Sequence, residues 1–289
     1  MLRIEELVLG YGGEPVLDGV DLSVPAGRFV SLVGPSGSGK SSILRALTGL
    51  QAVHAGTTRI EADASDVGFL FQDDALLPWR TARHNVGLGL RFGRGVPKRA
   101  ALAEADAWLA RMGLDGFEDR YPRELSGGQR KRVALAQVLA TRPKLLLMDE
   151  PFASLDAIVR HRITRDLLAL LEQEDVTVLL VTHDLEEAIA LSDQVAVLSR
   201  GPRAGIRETV DVSLARPRDL LGVRADPAFA PLLTRLWTAL EAEVEESTAT
   251  PEPAERATEP AVRSEGEAPS RRRPAASPSR RAPREAWRS

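Results

Sequence analysis

A glycine-rich segment with a single lysine carries the clearest chemistry in this sequence. Residues 34–41 read GPSGSGKS and fit G-x-x-x-x-G-K-[ST], a spacing in which glycines let backbone N–H groups point at phosphate oxygens. Lys40 can then reach the β- and γ-phosphates, and the Ser41 hydroxyl is a ligand that Mg²⁺ accepts. The alternative is an ordinary Gly/Ser turn, which needs a chance match expected on the order of a few times per thousand sequences. The segment therefore predicts a nucleotide-binding site.

A second candidate group is a pair of carboxylates that follows the apolar run LLLM at residues 145–148. The run predicts a buried strand, and ligands of open α/β sheets bind at the carboxyl ends of strands. Asp149 is therefore placed to bind Mg²⁺ or a water of its coordination shell. Glu150 is the candidate to orient or deprotonate the attacking water. The alternative is an acidic cap on a surface strand.

His183 ends the next apolar run, in LLVTHD, and is the third catalytic candidate beside Lys40 and Glu150. Its imidazole could donate a hydrogen bond to the γ-phosphate or to the attacking water. Taken alone, the residue would be interpreted as a structural histidine.

Strands and helices alternate around these groups in a way that can position them. Short alternating runs in the first forty residues predict strands, and residues 28–33 predict a buried strand directly before the glycine segment. The segment SSILRALTGL after it has helical spacing, as do most patterns between about 80 and 140. Apolar runs return in KLLLMDE and VTVLLVTHD, with an amphipathic stretch at residues 158–174 between them. This order predicts an α/β protein with a parallel, doubly wound sheet.

Composition removes several functional classes. The 289 residues include no cysteine, which excludes disulfides, thiol catalysis and cysteine-based metal sites. The net charge of −3 offers no polycationic signal for nucleic acid or anionic lipid. No apolar run reaches the roughly 18 residues of a spanning helix, and the N-terminus has no signal-peptide pattern. We therefore expect any membrane role to depend on docking to another protein.

The last part of the chain differs from the rest in composition. After about residue 245 it is rich in Pro, Ser, Ala, Glu and Arg and has almost no large apolar residue. Such a segment cannot bury enough surface to offset chain entropy, so we predict that residues 246–289 are disordered. A solvated tail is one interpretation; the other is a transient electrostatic contact through the arginine clusters that begin at Arg271.

The string LSGGQ at residues 125–129 resembles the signature motif of ABC ATPases, and supporting motifs follow the family's order over residues 1 to about 215. Tyr11 resembles the aromatic residue that stacks on adenine, and Gln72 resembles the glutamine that touches Mg²⁺ and links the site to the membrane partner. Asp149 and Glu150 match the second acidic motif, and His183 matches the switch histidine. Residues 154–156, SLD, match the D-loop.

The resemblance implies a site shared between two chains of a homodimer. The chain's own ATP would be held by Tyr11, Gly34, Pro35, Ser36, Gly37, Ser38, Gly39, Lys40, Ser41, Ser42 and Gln72. The partner's ATP would be held in trans by Leu125, Ser126, Gly127, Gly128, Gln129 and Asp156. Mg²⁺ would be bound by Ser41, Gln72 and Asp149. Ser126 and the glycines would open the helix that follows, so that a second helix N-terminus points at the γ-phosphate.

The fold implied is a P-loop NTPase core with an N-terminal antiparallel β subdomain and a helical subdomain. We predict the ATPase domain at 1–215, with the helical subdomain at about 76–140, and a helical C-terminal extension at 216–245. Residues 56–72 form a shorter segment than is usual in the family, which predicts a trimmed strand or hairpin. Gln137 stands where the family usually has arginine.

Within the family, FLFQDDALLPWRTARHNV and LARPRD resemble importers of nitrate, sulfonates, taurine and thiamine-precursor pyrimidines. This implies an ATPase peripheral on the cytoplasmic face of the inner membrane, bound to two permease subunits and served by an external binding protein. Pro78 and Trp79 would lie in the permease groove or in a packed turn. The alternatives are an exporter or lipoprotein-release ATPase, a non-transport ABC ATPase of DNA repair or ribosomes, and a nucleotide-binding regulator without turnover.

Overall fold

The computed structural model describes residues 1–12, 14–216, 218 and 221–248. Two sheets and the helices around them make up this part of the chain. Its strands are β1 (Leu2–Tyr11), β2 (Glu14–Val24), β3 (Phe29–Val33), β4 (Ala55–Ile60), β5 (Val67–Leu70), β6 (Leu145–Asp149), β7 (Thr177–Val181), β8 (Gln194–Leu198) and β9 (Ile206–Asp211). Its α-helices are α1 (Lys40–Leu47), α2 (Ala82–Leu88), α3 (Lys98–Arg111), α4 (Gly127–Leu139), α5 (Ala157–Glu174), α6 (Leu185–Leu191) and α7 (Phe229–Thr248).

The central sheet has the strand order β5-β6-β7-β3-β8-β9. Its first five strands run parallel, and every residue of β3, β6 and β7 is buried, as expected for a sheet covered on both faces. Successive side chains of β6 point to opposite faces: Leu145 and Leu147 join one apolar cluster, Leu146 and Met148 the other. The predicted parallel α/β sheet is present, and it places the carboxyl ends of β3, β6 and β7 side by side.

The edge strand β9 runs antiparallel to β8, a reversal that the sequence patterns did not predict. Strands β8 and β9 are joined by residues 199–205, a connection too short for the helical crossover that a parallel pair requires. The doubly wound parallel sheet therefore ends in one antiparallel strand.

The smaller sheet is antiparallel, with the order β2-β1-β4. Its inner side chains, among them Leu7 and Leu9, share an apolar cluster with Ile43 and Leu44 of α1. The sheet therefore packs over the helix that follows the glycine segment. Between β4 and β5 the short connection contains only a 3₁₀ turn, Ala64–Asp66, among the described elements.

The helices α2, α3 and α4 lie in the region predicted to be mostly helical. They share the apolar cluster that contains Leu146 and Met148 of β6. In this cluster Trp108 and Leu109 of α3 pack with Val133 and Leu135 of α4. Strand β5 approaches α4 closely, since a Cβ on Gly68 would lie 2.6 Å from Val138 Cγ1. The C-terminal end of α4 is thus held against the beginning of β5.

The C-terminal helix α7 packs through Phe229 and Leu236 against Leu185 and Ile189 of α6. It runs to Thr248, so the helix includes the first three residues of the segment 246–289 that the sequence predicts to be disordered. Residues 249–289, the rest of the segment predicted to be disordered, lie outside the described residues. Within the described part, no helix is both long and apolar enough to cross a bilayer.

Candidate active site

The glycine segment forms a loop between β3 and α1 whose shape depends on two left-handed residues. Gly37 has φ 80° and Gly39, directly before α1, has φ 94°, a region that other residues rarely adopt. A Cβ on Gly39 would also lie 2.8 Å from Leu17 Cδ2 of the small sheet. The loop therefore combines a tight backbone with the N-terminal end of a helix, a combination suited to binding anions.

Lys40 is 6% exposed and lies along this loop. Its Nζ donates to the carbonyl oxygen of Gly34 at 2.8 Å and to that of Pro35 at 2.7 Å. Burial lowers the pKa of the Lys40 ammonium, and the carboxylates of Glu150 and Asp149 oppose that shift. Phosphate oxygens near this ammonium would therefore meet a cation with little water around it, which strengthens their attraction.

Ser41 and Asp149 meet where the loop approaches the end of β6. The Ser41 hydroxyl donates to Asp149 Oδ1 at 2.8 Å. Burial raises the pKa of the Asp149 carboxyl, while this hydrogen bond lowers it. The described residues hold no group of three or more His, Cys, Asp or Glu suited to a metal. A hydroxyl and one carboxylate fit Mg²⁺ bound together with substrate phosphates, the usual mode for that ion.

Glu150 and His183 lie at the ends of the neighbouring strands β6 and β7. His183 Nδ1 is 3.0 Å from Glu150 Oε2, and the histidine side chain is 59% exposed. The backbone of Glu150 has φ 42°, and its N–H donates to the carbonyl oxygen of Val181 at 2.9 Å. Left-handed backbone at a residue other than glycine costs about 1–2 kcal/mol, so the surrounding structure holds this carboxylate in an unfavourable conformation.

A cavity of about 480 Å³ lies beside the loop. It is lined by Tyr11, Val16, Ser36, Gly37, Gly39, Lys40, Ser41, Ser42 and Glu150. A larger cavity of about 720 Å³ runs along the small sheet, but none of its lining residues belongs to the predicted site. We assign the nucleotide to the smaller cavity because the phosphate loop and the Glu150 carboxylate both line it.

Tyr11 lies at the edge of this cavity and is 57% exposed. Its hydroxyl is 3.1 Å from Ser42 Oγ and donates to Gln51 Oε1 at 3.1 Å. Val16 and Gln51 were not predicted as site residues, since neither belongs to a recognisable motif. Both hydrogen bonds hold the exposed ring beside the phosphate loop.

The remaining predicted site residues lie outside the lining of this cavity. Gln72 is exposed on the loop after β5. Ser126 caps α4: its hydroxyl accepts from Gln129 N at 3.3 Å, and Gln129 Oε1 accepts from Ser126 N at 2.8 Å. The predicted opening of a helix by the signature string is therefore present, but its end does not line the cavity that Lys40 lines.

Gly128 of the signature string and Asp156 of the D-loop lie at the beginnings of two helices, α4 and α5, that approach each other. A Cβ on Gly128 would lie 2.6 Å from Val159 Cγ1, so only glycine allows α4 and α5 to approach this closely. Asp156 caps α5 by accepting a hydrogen bond from Val159 N at 3.0 Å. The residues predicted to act in trans therefore lie around the facing N-terminal ends of two helices.

Two charged residues near these motifs were not predicted to have a role. Lys131 is fully buried, with Nζ 2.9 Å from Asp74 Oδ1. Asp74 lies in the string DD and Lys131 in the string QRKR. Charged or polar strings of this kind are typical of a solvent-exposed face. Only the contact between Lys131 and Asp74 in the folded protein distinguishes these two residues from ordinary surface charges.

Comparison with known proteins identifies the family. The sequence profile of the family described as ABC transporter matches residues 17–153. The aliphatic sulfonates import ATP-binding protein SsuB 2 of Rhodococcus jostii is 45% identical over 243 residues, which cover 84% of this chain and 94% of that protein. The taurine import ATP-binding protein TauB of Escherichia coli is 39% identical over 239 residues, with 79% and 92% covered.

Solved structures give the same result for the fold. The dimeric ATP-binding cassette MJ0796 bound to ADP and Pi is 31% identical, with a TM-score of 0.65 over 74% of this chain and 100% of that one. A second dimeric structure of MJ0796, described as a bacterial ABC transporter cassette, is 32% identical with a TM-score of 0.66. The predicted ABC ATPase fold is confirmed. With relatives this similar over nearly their whole length, the chain belongs to the family of ABC transporter ATP-binding proteins and is an ABC-type ATPase.

Proposed function

We propose that this chain is the ATP-hydrolysing subunit of an importer for a small solute of the sulfonate or taurine kind. The observation that carries the ATPase role is the convergence of Lys40, Ser41 and Glu150 on one cavity. Import is supported by the relatives, which are import ATP-binding proteins for aliphatic sulfonates and taurine.

In this proposal the phosphates of ATP lie against residues 34–42. Backbone N–H groups of the loop and of the first turn of α1 donate to phosphate oxygens, and Lys40 compensates charge on the β- and γ-phosphates. The ring of Tyr11 stacks on adenine, since it is exposed at the cavity edge. These contacts position the γ-phosphate near Glu150.

Hydrolysis then depends on the carboxylates at the end of β6. Ser41, Asp149 and Gln72 would hold Mg²⁺, which would neutralise charge on the β- and γ-phosphate oxygens. Glu150 orients the attacking water and accepts its proton, and His183 orients the Glu150 carboxylate or donates to the γ-phosphate. The 3.0 Å contact between the two side chains supports this pairing.

A second copy of the chain would complete the site. Residues 125–129 do not line the cavity, so the proposal places the signature string and Asp156 of one chain on the ATP of the other, head to tail. Dimeric structures of the related cassette MJ0796 support this assembly. ATP then joins two chains, and hydrolysis separates them.

The proposed partners are two permease subunits, and through them an external solute-binding protein, at the cytoplasmic face of the inner membrane. Trp79 is 68% exposed on the loop between Gln72 and α2, where a permease segment could bury its ring. Within this scheme residues 1–215 form the ATPase domain and residues 216–245 an extension.

The test is uptake by cells that lack this chain but keep its permease and binding protein. The cells receive the wild-type chain, Glu150→Gln, or Glu61→Gln as a control at an exposed glutamate. We expect wild type and Glu61→Gln to restore uptake of labelled taurine or alkanesulfonate, and Glu150→Gln to abolish it. Nitrate and a thiamine-precursor pyrimidine serve as the other substrates. Equal uptake of all four with all three chains would contradict import and favour an exporter or lipoprotein-release ATPase.

A further inference from the structure

Lys131 places a positive charge in the interior of the protein. Its side chain is 1% exposed, and it lies in the second turn of α4, just after the signature string. Nζ is 2.9 Å from Asp74 Oδ1 and donates to the carbonyl oxygen of Gln72 at 3.1 Å. The ammonium therefore binds the backbone of the residue predicted to touch Mg²⁺.

The neighbouring Arg130 extends this contact in the other direction. Its Nε lies 3.4 Å from Asp74 Oδ2, and its Nη1 donates to the carbonyl oxygen of Leu125 at 2.8 Å. Asp74 is thus held by two consecutive residues of α4. An unbroken path of polar contacts runs from Leu125 through Arg130, Asp74 and Lys131 to Gln72.

Stability alone does not account for a charge at this position. A buried ammonium loses its hydration, and replacing a buried ion pair by apolar residues of similar size is often neutral or stabilising. Asp74 is 20% exposed, so the pair also keeps partial contact with water, which weakens its attraction. The pair instead provides a directional polar contact between the loop that contains Gln72 and helix α4.

We infer that Asp74, Arg130 and Lys131 are positioning residues that make the loop of Gln72 and the signature end of α4 move together. The inference rests on the proposed function, in which Gln72 serves the chain's own ATP and the signature string serves the partner's. Each chain then contains a direct contact between the two ATP sites of the dimer. Binding at one site favours the arrangement that the other site needs, so hydrolysis is cooperative in ATP.

The experiment measures ATP hydrolysis against ATP concentration by the complete transporter in lipid vesicles. Wild type is compared with Lys131→Met, which keeps the length of the side chain and removes its charge. Lys144→Met is the matched control, because Lys144 also pairs with an aspartate, Asp66 at 2.7 Å, but is exposed. We expect the Hill coefficient to fall from nearly 2 to about 1 in Lys131→Met and to stay at the wild-type value in Lys144→Met.

Asp74→Asn keeps the test valid if Lys131→Met fails to fold. This change keeps the shape of a partly exposed side chain and removes only its charge. We expect it also to lower the Hill coefficient, and we expect the double variant to match Lys131→Met, because both changes break one path. Wild-type cooperativity in Asp74→Asn and in any folded Lys131→Met would overturn the inference and leave the proposed function standing. A wild-type coefficient of 1 would overturn the inference in the same way.

Discussion

His183 Nδ1 lies 3.0 Å from Glu150 Oε2, which joins the carboxyl ends of two adjacent parallel strands through their side chains. Asp149, directly before Glu150, is paired in the sheet with Val181, two residues before His183. The two side chains are therefore positioned by the central sheet. His183 therefore contacts the carboxylate that is predicted to act on water, that of Glu150.

Replacing Glu150 by glutamine should separate ATP binding from hydrolysis. The amide keeps the shape of the side chain but is a poor proton acceptor, so we expect kcat to fall about 10²–10⁴-fold while ATP affinity changes little. The ATP-bound dimer should then accumulate and be detectable by size-exclusion chromatography with ATP. Glu61→Gln should behave like wild type. Hydrolysis by Glu150→Gln at the wild-type rate would remove the assignment of the base.

Two substitutions at Tyr11 should distinguish stacking from hydrogen bonding. Tyr11→Phe keeps the ring and loses the contacts with Ser42 and Gln51, each worth about 1 kcal/mol. Tyr11→Ala also removes a base–aromatic stack of about 1–3 kcal/mol. We expect ATP affinity, measured by calorimetry, to fall less than about fivefold for Tyr11→Phe and at least tenfold for Tyr11→Ala. Equal affinities for both variants would contradict stacking on adenine.

Glu187 should make the free energy of unfolding depend on pH. Burial raises its pKa from 4.5 to about 7; nearby Asp184 adds to the shift, and the Thr182 hydrogen bond, Arg160 and His183 oppose it. Because the folded protein holds this proton more tightly, the contribution is fully present below pH 4.5 and is lost as pH rises through 7. The loss amounts to at most about 3 kcal/mol.

Glu187→Gln removes this titration, so its stability relative to wild type should be greater at pH 8 than at pH 5. Urea unfolding at several pH values measures the difference. Glu186→Gln, at the half-exposed neighbouring position, is the control and should follow the pH dependence of the wild type. Parallel curves for wild type and Glu187→Gln would show that Glu187 titrates normally.

How far the sequence predicts this structure depends on whether the information is local. The loop of residues 34–41, its flanking strand and its helix follow from glycine positions and apolar spacing. The direction of β9 does not, because it depends on which strand it meets. Lys131 reads as part of a charged helix face, and only its contact with Asp74 reveals that it is buried. Helix α7 continues past residue 246 because Glu and Val residues extend a helix that is already formed, whereas average composition reflects the Pro-rich segment beyond.

Trp79→Ala should uncouple transport from hydrolysis if the exposed loop receives the permease. Removing the ring takes apolar area out of the proposed contact, so we expect solute uptake to fall at least tenfold while ATP hydrolysis by the isolated chain is unchanged. Trp237→Ala, at another exposed tryptophan, should affect neither. Normal uptake by the Trp79 variant would exclude this loop as the docking site.

The cavity beside the phosphate loop is lined by Lys40 but not by Ser126 of the same chain, and this separation has a genetic consequence. Alleles that encode Lys40→Ala and Ser126→Arg should each be inactive alone, yet a mixed dimer would bring one intact phosphate loop to one intact signature string. A strain carrying both alleles should then recover part of the uptake that either mutant lacks. The two mutations would therefore complement each other in a cross, as mutations in two different genes do.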